Sequence, residues 1–241
     1  MNQPDTQPAS RASVIIPFII VTLIWSSTWI VIRDQNSGVP PSWSVAYRFL
    51  LASCGMFALA KLMKARLWLG WQGLGFATLV GATQFVLNFN FVYRAELYLT
   101  SGLVAVFYAL LLVPNSILAW LWLRQPVNRA FLLGSSIAIS GVALLFLHEF
   151  HMSNVAPEKV ALGLALAAAG LLAASISNVL QAAPIAHRLP MLSLLAWGML
   201  AGGLMDAAVA WAVSGPPVID TRPGYLTGTA YLAFMGSVAT F

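Results

Sequence analysis

Val14 to Ile32 reads VIIPFIIVTLIWSSTWIVI, nineteen residues without one charged side chain. A bilayer core about 30 Å thick takes about 20 apolar residues of helix, so this run is long enough to cross it. It exceeds the apolar segment of a signal peptide and no A-x-A-like cleavage site follows it, so the run is expected to stay in the membrane. Runs of the same kind return at Val45 to Leu62, Trp71 to Val92, Tyr98 to Leu123, Ala130 to Leu147, Val160 to Ala183, Met191 to Val213 and Tyr225 to Phe241. Eight such runs predict an all-α, polytopic membrane helix bundle. Composition points the same way: 60% of residues are hydrophobic and 8% charged, where soluble domains are about 45–50% apolar and about 25% charged. A water-soluble fold is excluded.

The net charge of +5 comes from 12 Lys and Arg against seven Asp and Glu. Nucleic-acid binding needs such charge clustered on one face, and here it is scattered, so no nucleic-acid partner is expected. Basic residues instead mark loops on the cytoplasmic side. With the N-terminus inside, the inner loops carry Arg11, Lys61, Lys64, Arg66, Arg124, Arg129 and Arg188, and the outer loops carry Arg33, Arg94, Lys159 and Arg222. Seven against four predicts a cytoplasmic N-terminus, preceded by a polar tail over residues 1–12. A single cysteine, Cys54, allows no intramolecular disulfide.

Residues about 150 apart repeat a pattern. Ser27-Thr28-Trp29-Ile30-Val31-Ile32-Arg33 closes the first run and Ser175-Ile176-Ser177-Asn178-Val179-Leu180-Gln181 closes the sixth. Pro41 before the second matches Pro190 before the seventh, and Leu79-Val80-Gly81 matches Phe234-Met235-Gly236. A five-helix unit crosses the membrane an odd number of times, so its repeat enters from the opposite side, the inverted arrangement of many secondary transporters. The organisation expected is a first five-helix unit over 13–147, an outer loop over 148–159 and a second unit over 160–241. On this symmetry Phe241 corresponds to about Val86, in mid-helix, and two full units would take roughly 300 residues and about ten helices. The expectation is a fragment whose sixth helix exposes a small-residue seam at Gly163, Ala167 and Gly170.

Several short motifs resemble one family. These are Ile24-Trp25-Ser26-Ser27-Thr28-Trp29 in the first run, Tyr47-Arg48-Phe49-Leu50-Leu51-Ala52 in the second, and Ala95-Glu96-Leu97-Tyr98-Leu99-Thr100-Ser101-Gly102 opening the fourth. Pro114 follows, then Gly134 and Gly141-Val142-Ala143-Leu144-Leu145 in the fifth. In order and spacing the chain resembles the drug/metabolite transporter superfamily, built of two EamA-type repeats. It departs from the family pattern at Trp25-Ser26, where Trp-Gly is usual, and at Leu123-Arg124-Gln125, where Leu-Gly-Glu is frequent. The resemblance implies a secondary-active carrier of small organic metabolites or drugs in a bacterial inner membrane, often an exporter, working by alternating access around a central cavity. The partners it implies are a small-molecule substrate, the bilayer, protons as coupling ion and a second copy of the chain in a homodimer. No cofactor and no metal are expected.

Polar side chains inside membrane helices turn toward the bundle interior or a water-filled path. Candidate cavity residues are therefore Trp25, Ser27, Thr28 and Trp29 in the first helix, Gln84 and Asn88 in the third, Tyr108 and Asn115 in the fourth, and Ser177 and Asn178 in the sixth, with Ser26, Asn90 and Ser175 nearby. Gln84 and Asn88, four apart, share a face. The alternative is that they serve as interhelical hydrogen-bond glue. Pro114 removes an interior hydrogen bond and frees a carbonyl near Leu110, either as a break beside the substrate or as a packed kink. Asp206 and Arg48 are the intramembrane charges, with Gly198 and Gly202 below Asp206 at four-residue spacing. Paired, the two charges would form an outer gate; apart, Asp206 is suited to carry a proton and Arg48 to meet substrate. The bland readings are a structural hydrogen bond for Asp206 and snorkelling for Arg48.

Enzyme chemistry has little to stand on. His148, Glu149 and His151 fall one residue short of H-E-x-x-H, and there is no Walker A sequence. No histidine occupies bilayer depth to serve as base for a membrane-embedded Ser-His pair. A membrane-embedded enzyme or scaffold is the alternative to a carrier.

Overall fold

The structure, a computed structural model, describes residues 11–152 and 155–241. Most of the polar tail and Asn154 fall outside these residues. Among the described residues there are eight helices and no strand: α1 Arg11–Gln35, α2 Pro41–Leu62, α3 Gly70–Ala95, α4 Ser101–Leu123, α5 Arg129–Met152, α6 Pro157–Gln181, α7 Met191–Ser214 and α8 Pro223–Ala233. The first seven are long and apolar enough to cross a membrane. The 11 α-helical residues of α8 and the π turn Phe234–Val238 that extends them are shorter than the roughly 20 residues a bilayer core takes.

Proline sets several helix starts. Pro41, Pro157 and Pro223 stand in the first turns of α2, α6 and α8, where the missing N–H would have no intrahelical partner in any case. Arg124 adopts φ 55° and stops α4 in the left-handed conformation. No Pro or Gly interrupts His148 to Met152, so α5 runs on to Met152. The loop expected over 148–159 is correspondingly shorter.

Contacts among the helices follow an exchange rule. α2 and α7 make the most extensive pairing, α7 packs on α3 and α2 on α8, while α6 packs on α3 and α1 on α8. Swapping α1, α2, α3 for α6, α7, α8 leaves this set unchanged. Both third helices also switch to π geometry, α3 over Gly81–Asn88 and α8 over Phe234–Val238, and the sequence-matched Gly81 and Gly236 lie in those turns.

The main core joins Val45, Phe49 and Met56 of α2, Phe85 and Tyr93 of α3, Leu195 and Met199 of α7, and Leu232 of α8. Backbones touch where α3 meets α7. A Cβ on Gly81 would run into the Gly198 carbonyl and stand 3.2 Å from the Gly202 nitrogen; one on Gly202 would stand 2.8 Å from the Phe85 Cβ. Close approach of small residues supplies the packing that a hydrophobic driving force cannot supply between helices in lipid.

The small-residue seam of α6 is packed, against the expectation that it would be exposed. Gly163 lies against Tyr98 and Leu99, and Gly170 against Tyr108 and the Asn88 carbonyl. The reason is that α3 and α4 supply the covering surface. Phe241 is partly buried, its ring 6.2 Å from Trp25 and 5.7 Å from Phe85.

Candidate functional site

α1 meets the bundle along one stripe. Ile24, Thr28, Ile32 and Gln35 are buried at helical spacing, as one face of an amphipathic helix requires. Trp25 lies off that stripe and is 42% exposed; Ser26 is exposed and bonds its own helix at the Leu23 carbonyl. The residues on or beside the stripe do reach the interior. Thr28 is buried, its hydroxyl on the Trp25 carbonyl. Ser27 shares a 2.6 Å hydrogen bond with the Tyr231 hydroxyl of α8. Trp29 packs on Tyr108 at 5.4 Å between ring centroids, and Tyr108 donates to Asn88 Oδ1 at 2.8 Å.

Trp29, Tyr108 and Asn88 therefore connect α1, α4 and α3. Gln84 and Asn88 both fall in the π segment of α3 and are both buried, and Gln84 Oε1 has no partner among the described residues. On α6, Ser177 is fully buried and accepts from Gln181, while Asn178 reaches Asn115 of α4 at 3.5 Å. The Ser175 hydroxyl is buried without a partner among the described residues. A 3-10 turn at Ala109–Leu111 precedes Pro114, in keeping with the hydrogen bond that proline removes. Asn115 borders a cavity of about 380 Å³ with Gln125, Asn128 and Phe131, between the facing ends of α4 and α5.

The two intramembrane charges do not pair with each other. Asp206 is fully buried; its Oδ1 accepts from Asn90 Nδ2, and its Oδ2 has no partner among the described residues. Asn90 Oδ1 in turn accepts from Arg94 at 2.6 Å and from the Ser42 hydroxyl at 2.7 Å, and Arg94 also donates to Ser42 at 2.8 Å. This ladder ties α7 to α3 and α2. Arg48, 2% exposed, donates from Nε to Ser237 and from Nη2 to the Gly236 carbonyl, both at 3.1 Å. It does not snorkel. A second ladder runs from Tyr93 to Gln35 at 2.9 Å and from Gln35 to Thr229 at 2.8 Å. Both ladders lie toward the end of the bundle that carries the α1–α2 and α7–α8 connections. That end is further laced by Trp43 to the Gly215 carbonyl, Tyr47 to the Val218 carbonyl, and Arg222, paired with Asp220, to Ser37.

Sequence reading missed Arg94, counted there as an outer-loop charge, and Glu96, named there only within the motif that opens the fourth run. For Arg94 a signal existed: it stands four residues after Asn90, on the same helix face. Glu96 lies just beyond α3 and is 5% exposed; Ser101 donates to its Oε2 at 3.2 Å, and Oε1 is unpartnered among the described residues. Burial pushes its carboxyl up to about 8, against the lowering effects of Ser101 and the nearby Arg33. The folded protein thus holds a proton that the unfolded chain releases near 4.5, and stability falls as pH rises from that value through about 8. In detergent, the melting temperature should decline across this window, and Glu96→Gln should flatten the decline and be the more stable form above it. An unchanged slope in Glu96→Gln would remove Glu96 as its source. The side chains of Glu149 and His151 lie outside the described residues; His148 is exposed.

Seven helices long and apolar enough to cross a membrane, tied together by buried polar ladders, make a multi-pass bundle. A family model described as the EamA-like transporter family matches residues 12–147, more than half of the chain, and the chain belongs to that family. Protein PagO of Salmonella typhimurium is 27% identical over 228 residues, covering 94% of this chain and 73% of PagO. An uncharacterized transporter of Buchnera aphidicola subsp. Schizaphis graminum is 22% identical over 205 residues, covering 85% of this chain and 67% of that protein. The protein is an integral membrane transporter of the drug/metabolite type, with a small molecule as substrate and the bilayer as its surroundings.

Proposed function

We propose that the protein is a secondary-active exporter of small organic metabolites that works by alternating access between two inverted repeats and uses protons as coupling ion. Its N-terminus lies in the cytoplasm of a bacterium, its helices in the inner membrane. The observation that carries this reading is the ladder from Arg94 and Ser42 through Asn90 to Asp206, a hydrogen-bonded chain that ends on an intramembrane carboxyl and links α7 to α3 and α2. Intramembrane acids of this kind mark ion paths in transporters. The helix-exchange pattern supports the repeat, and Trp29, Tyr108, Asn88, Gln84, Asn115 and Asn178, carried on α1, α3, α4 and α6, are the polar and aromatic side chains assigned to the substrate path.

The test is transport by the full-length protein in proteoliposomes, challenged with a panel of labelled amino acids, nucleosides, organic acids and amines under an imposed pH gradient. At least one compound should move about tenfold faster than in empty liposomes, and a protonophore should abolish its accumulation. Failure of every compound would overturn the carrier reading; transport indifferent to the gradient would overturn proton coupling. Orientation has its own measurement: an impermeant thiol reagent applied from outside should label a cysteine at position 37 and spare one at position 64. The reverse pattern would invert the topology.

A further inference from the structure

The stretch Ala95 to Gly102, which opens the fourth run, places Glu96 and Ser101 five residues apart, one in the α3–α4 connection and one at the start of α4. In the fold the two side chains meet. The Ser101 hydroxyl stands 3.2 Å from Glu96 Oε2 and 3.3 Å from the Trp29 carbonyl of α1, and both are acceptors. A serine hydroxyl has one hydrogen, so it serves one of them at a time. Which one it serves is set by the proton on Glu96. An ionised carboxylate can only accept, and as the charged partner it draws the Ser101 hydrogen to itself. A protonated carboxyl donates instead: its O–H turns to Ser101 Oγ, and the serine hydrogen rotates to the Trp29 carbonyl. One proton is taken from water and one O–H bond forms on the carboxylate; release of the proton reverses both turns.

The surroundings suit such a site. Glu96 is buried and its Oε1 has no partner among the described residues, so Ser101 is the support its ionised form has there. Burial raises the carboxyl to about 8, against Ser101 and Arg33. The ionisable groups that act on it are Arg33 from α1 and Tyr93 from α3; Glu158 and Lys159 at the start of α6 and His148 of α5 are exposed. The next residue, Leu97, is also exposed, so water lies one residue away. On the other side of the switch, the Trp29 ring packs on Tyr108, which donates to Asn88. The Ser101 bond therefore holds α4 to α1 at a residue of the candidate substrate path.

We propose that Glu96 and Ser101 form a proton-binding site whose occupancy ties α1 to α4 at Trp29: a bound proton closes this end of the substrate path, and its release frees α1. The use of that movement rests on the carrier reading, but the site is tested without transport. Backbone hydrogen exchange of the purified full-length protein in detergent is measured at about pH 6 and about pH 9, on either side of the Glu96 titration, and corrected for the chemical exchange rate. α7, which packs on α2 and α3, is the internal reference. In the wild type, protection over residues 29–35 should fall between the two pH values at least about threefold more than protection over α7, as loss of one net hydrogen bond predicts. Glu96→Gln, whose amide can donate to Ser101 as the protonated carboxyl does, should keep α1 protected at both. Ser101→Ala keeps the titrating carboxyl and removes the relay; α1 should then be weakly protected at both, while the melting temperature still declines with pH. A purely structural Glu96 would move α1 and α7 together, and its effect on α1 would survive Ser101→Ala. Either result, or wild-type α1 protection indifferent to pH, would overturn the site. If Ser101→Ala does not fold, Glu96→Gln decides: a ratio of α1 to α7 protection that still changes with pH sinks the proposal, and a constant one upholds it. The proteoliposome panel separates the two readings. A pH-dependent α1 with no compound transported sinks the carrier and leaves the proton site, whereas transport by a protein whose α1 ignores pH sinks the site and leaves the carrier.

Discussion

Gly81→Leu should leave almost no folded protein in detergent, while Gly75→Ala, six residues earlier in the same helix, should fold with an equal or higher melting temperature. Both glycines lie in α3, so helix propensity alone favours replacing either, by about 0.5–1 kcal/mol for alanine. Their surroundings decide the outcome. Nothing lies within 4 Å of a Cβ built on Gly75, which faces outward, whereas one on Gly81 meets the Gly198 carbonyl and the Gly202 nitrogen. Those are backbone atoms of α7 and cannot rotate aside. Admitting even one carbon would spread α3 from α7, and a whole leucine side chain would separate Phe85 and Phe49, whose rings stand 4.6 Å apart in the core. Overpacking of a tight core costs about 1–3 kcal/mol and sometimes more; a clash with backbone on both sides belongs at the upper end, a large share of a typical total stability of about 5–15 kcal/mol. Size-exclusion profiles and thermal melts of the two variants would decide it. A monodisperse Gly81→Leu melting within a few degrees of wild type would mean that α3 and α7 can slide apart at little cost.

The first seven helices were legible because each is a mostly apolar run long enough to cross a bilayer, a pattern that needs no partner helix to be read. Their partners were less so. The seam at Gly163, Ala167 and Gly170 reads as small from sequence, but what covers it is a tertiary fact: Asn88 of α3, Tyr108 of α4, and Tyr98 and Leu99 in the connection between them. The π turns at Gly81–Asn88 and Phe234–Val238 carry no residue signature of their own; they pack against α7 and α2, which sequence does not display. Among candidate residues, Tyr108, Asn88, Ser27 and Trp29 meet the interior, whereas Trp25 does not, because the buried stripe of α1 passes through Ile24 and Thr28 instead. Arg94 was hidden by its position near a helix end, where charge ordinarily means solvent. Its value came from Asn90 one turn earlier.

Asp206→Asn should insert and fold like wild type yet lose all pH-driven accumulation of substrate. An asparagine is nearly isosteric with aspartate, and its amide oxygen can keep the bond from Asn90, so the α3–α7 packing around Gly81 and Gly202 has no reason to change. What disappears is the negative end of the ladder that begins at Arg94 and Ser42. In the wild type, Oδ2 is buried without a partner among the described residues, and a carboxylate so placed at bilayer depth is costly unless it pairs or takes a proton. Proton uptake would discharge it and weaken its hold on the Asn90–Arg94 end; proton release would restore that hold. An alternating-access carrier can use such a step to open and close the end where α1–α2 and α7–α8 are laced. The Asp206→Asn variant would be locked in the discharged condition. Exchange of substrate between equal pools, which needs no net proton movement, should then survive, while uphill movement under a pH gradient should fall to the level of empty liposomes. The pair of assays separates a coupling residue from a binding residue, since loss of binding would abolish both. Wild-type accumulation and wild-type pH dependence in Asp206→Asn would reduce Asp206 to a packing residue and leave the ladder a structural tie between α7, α3 and α2.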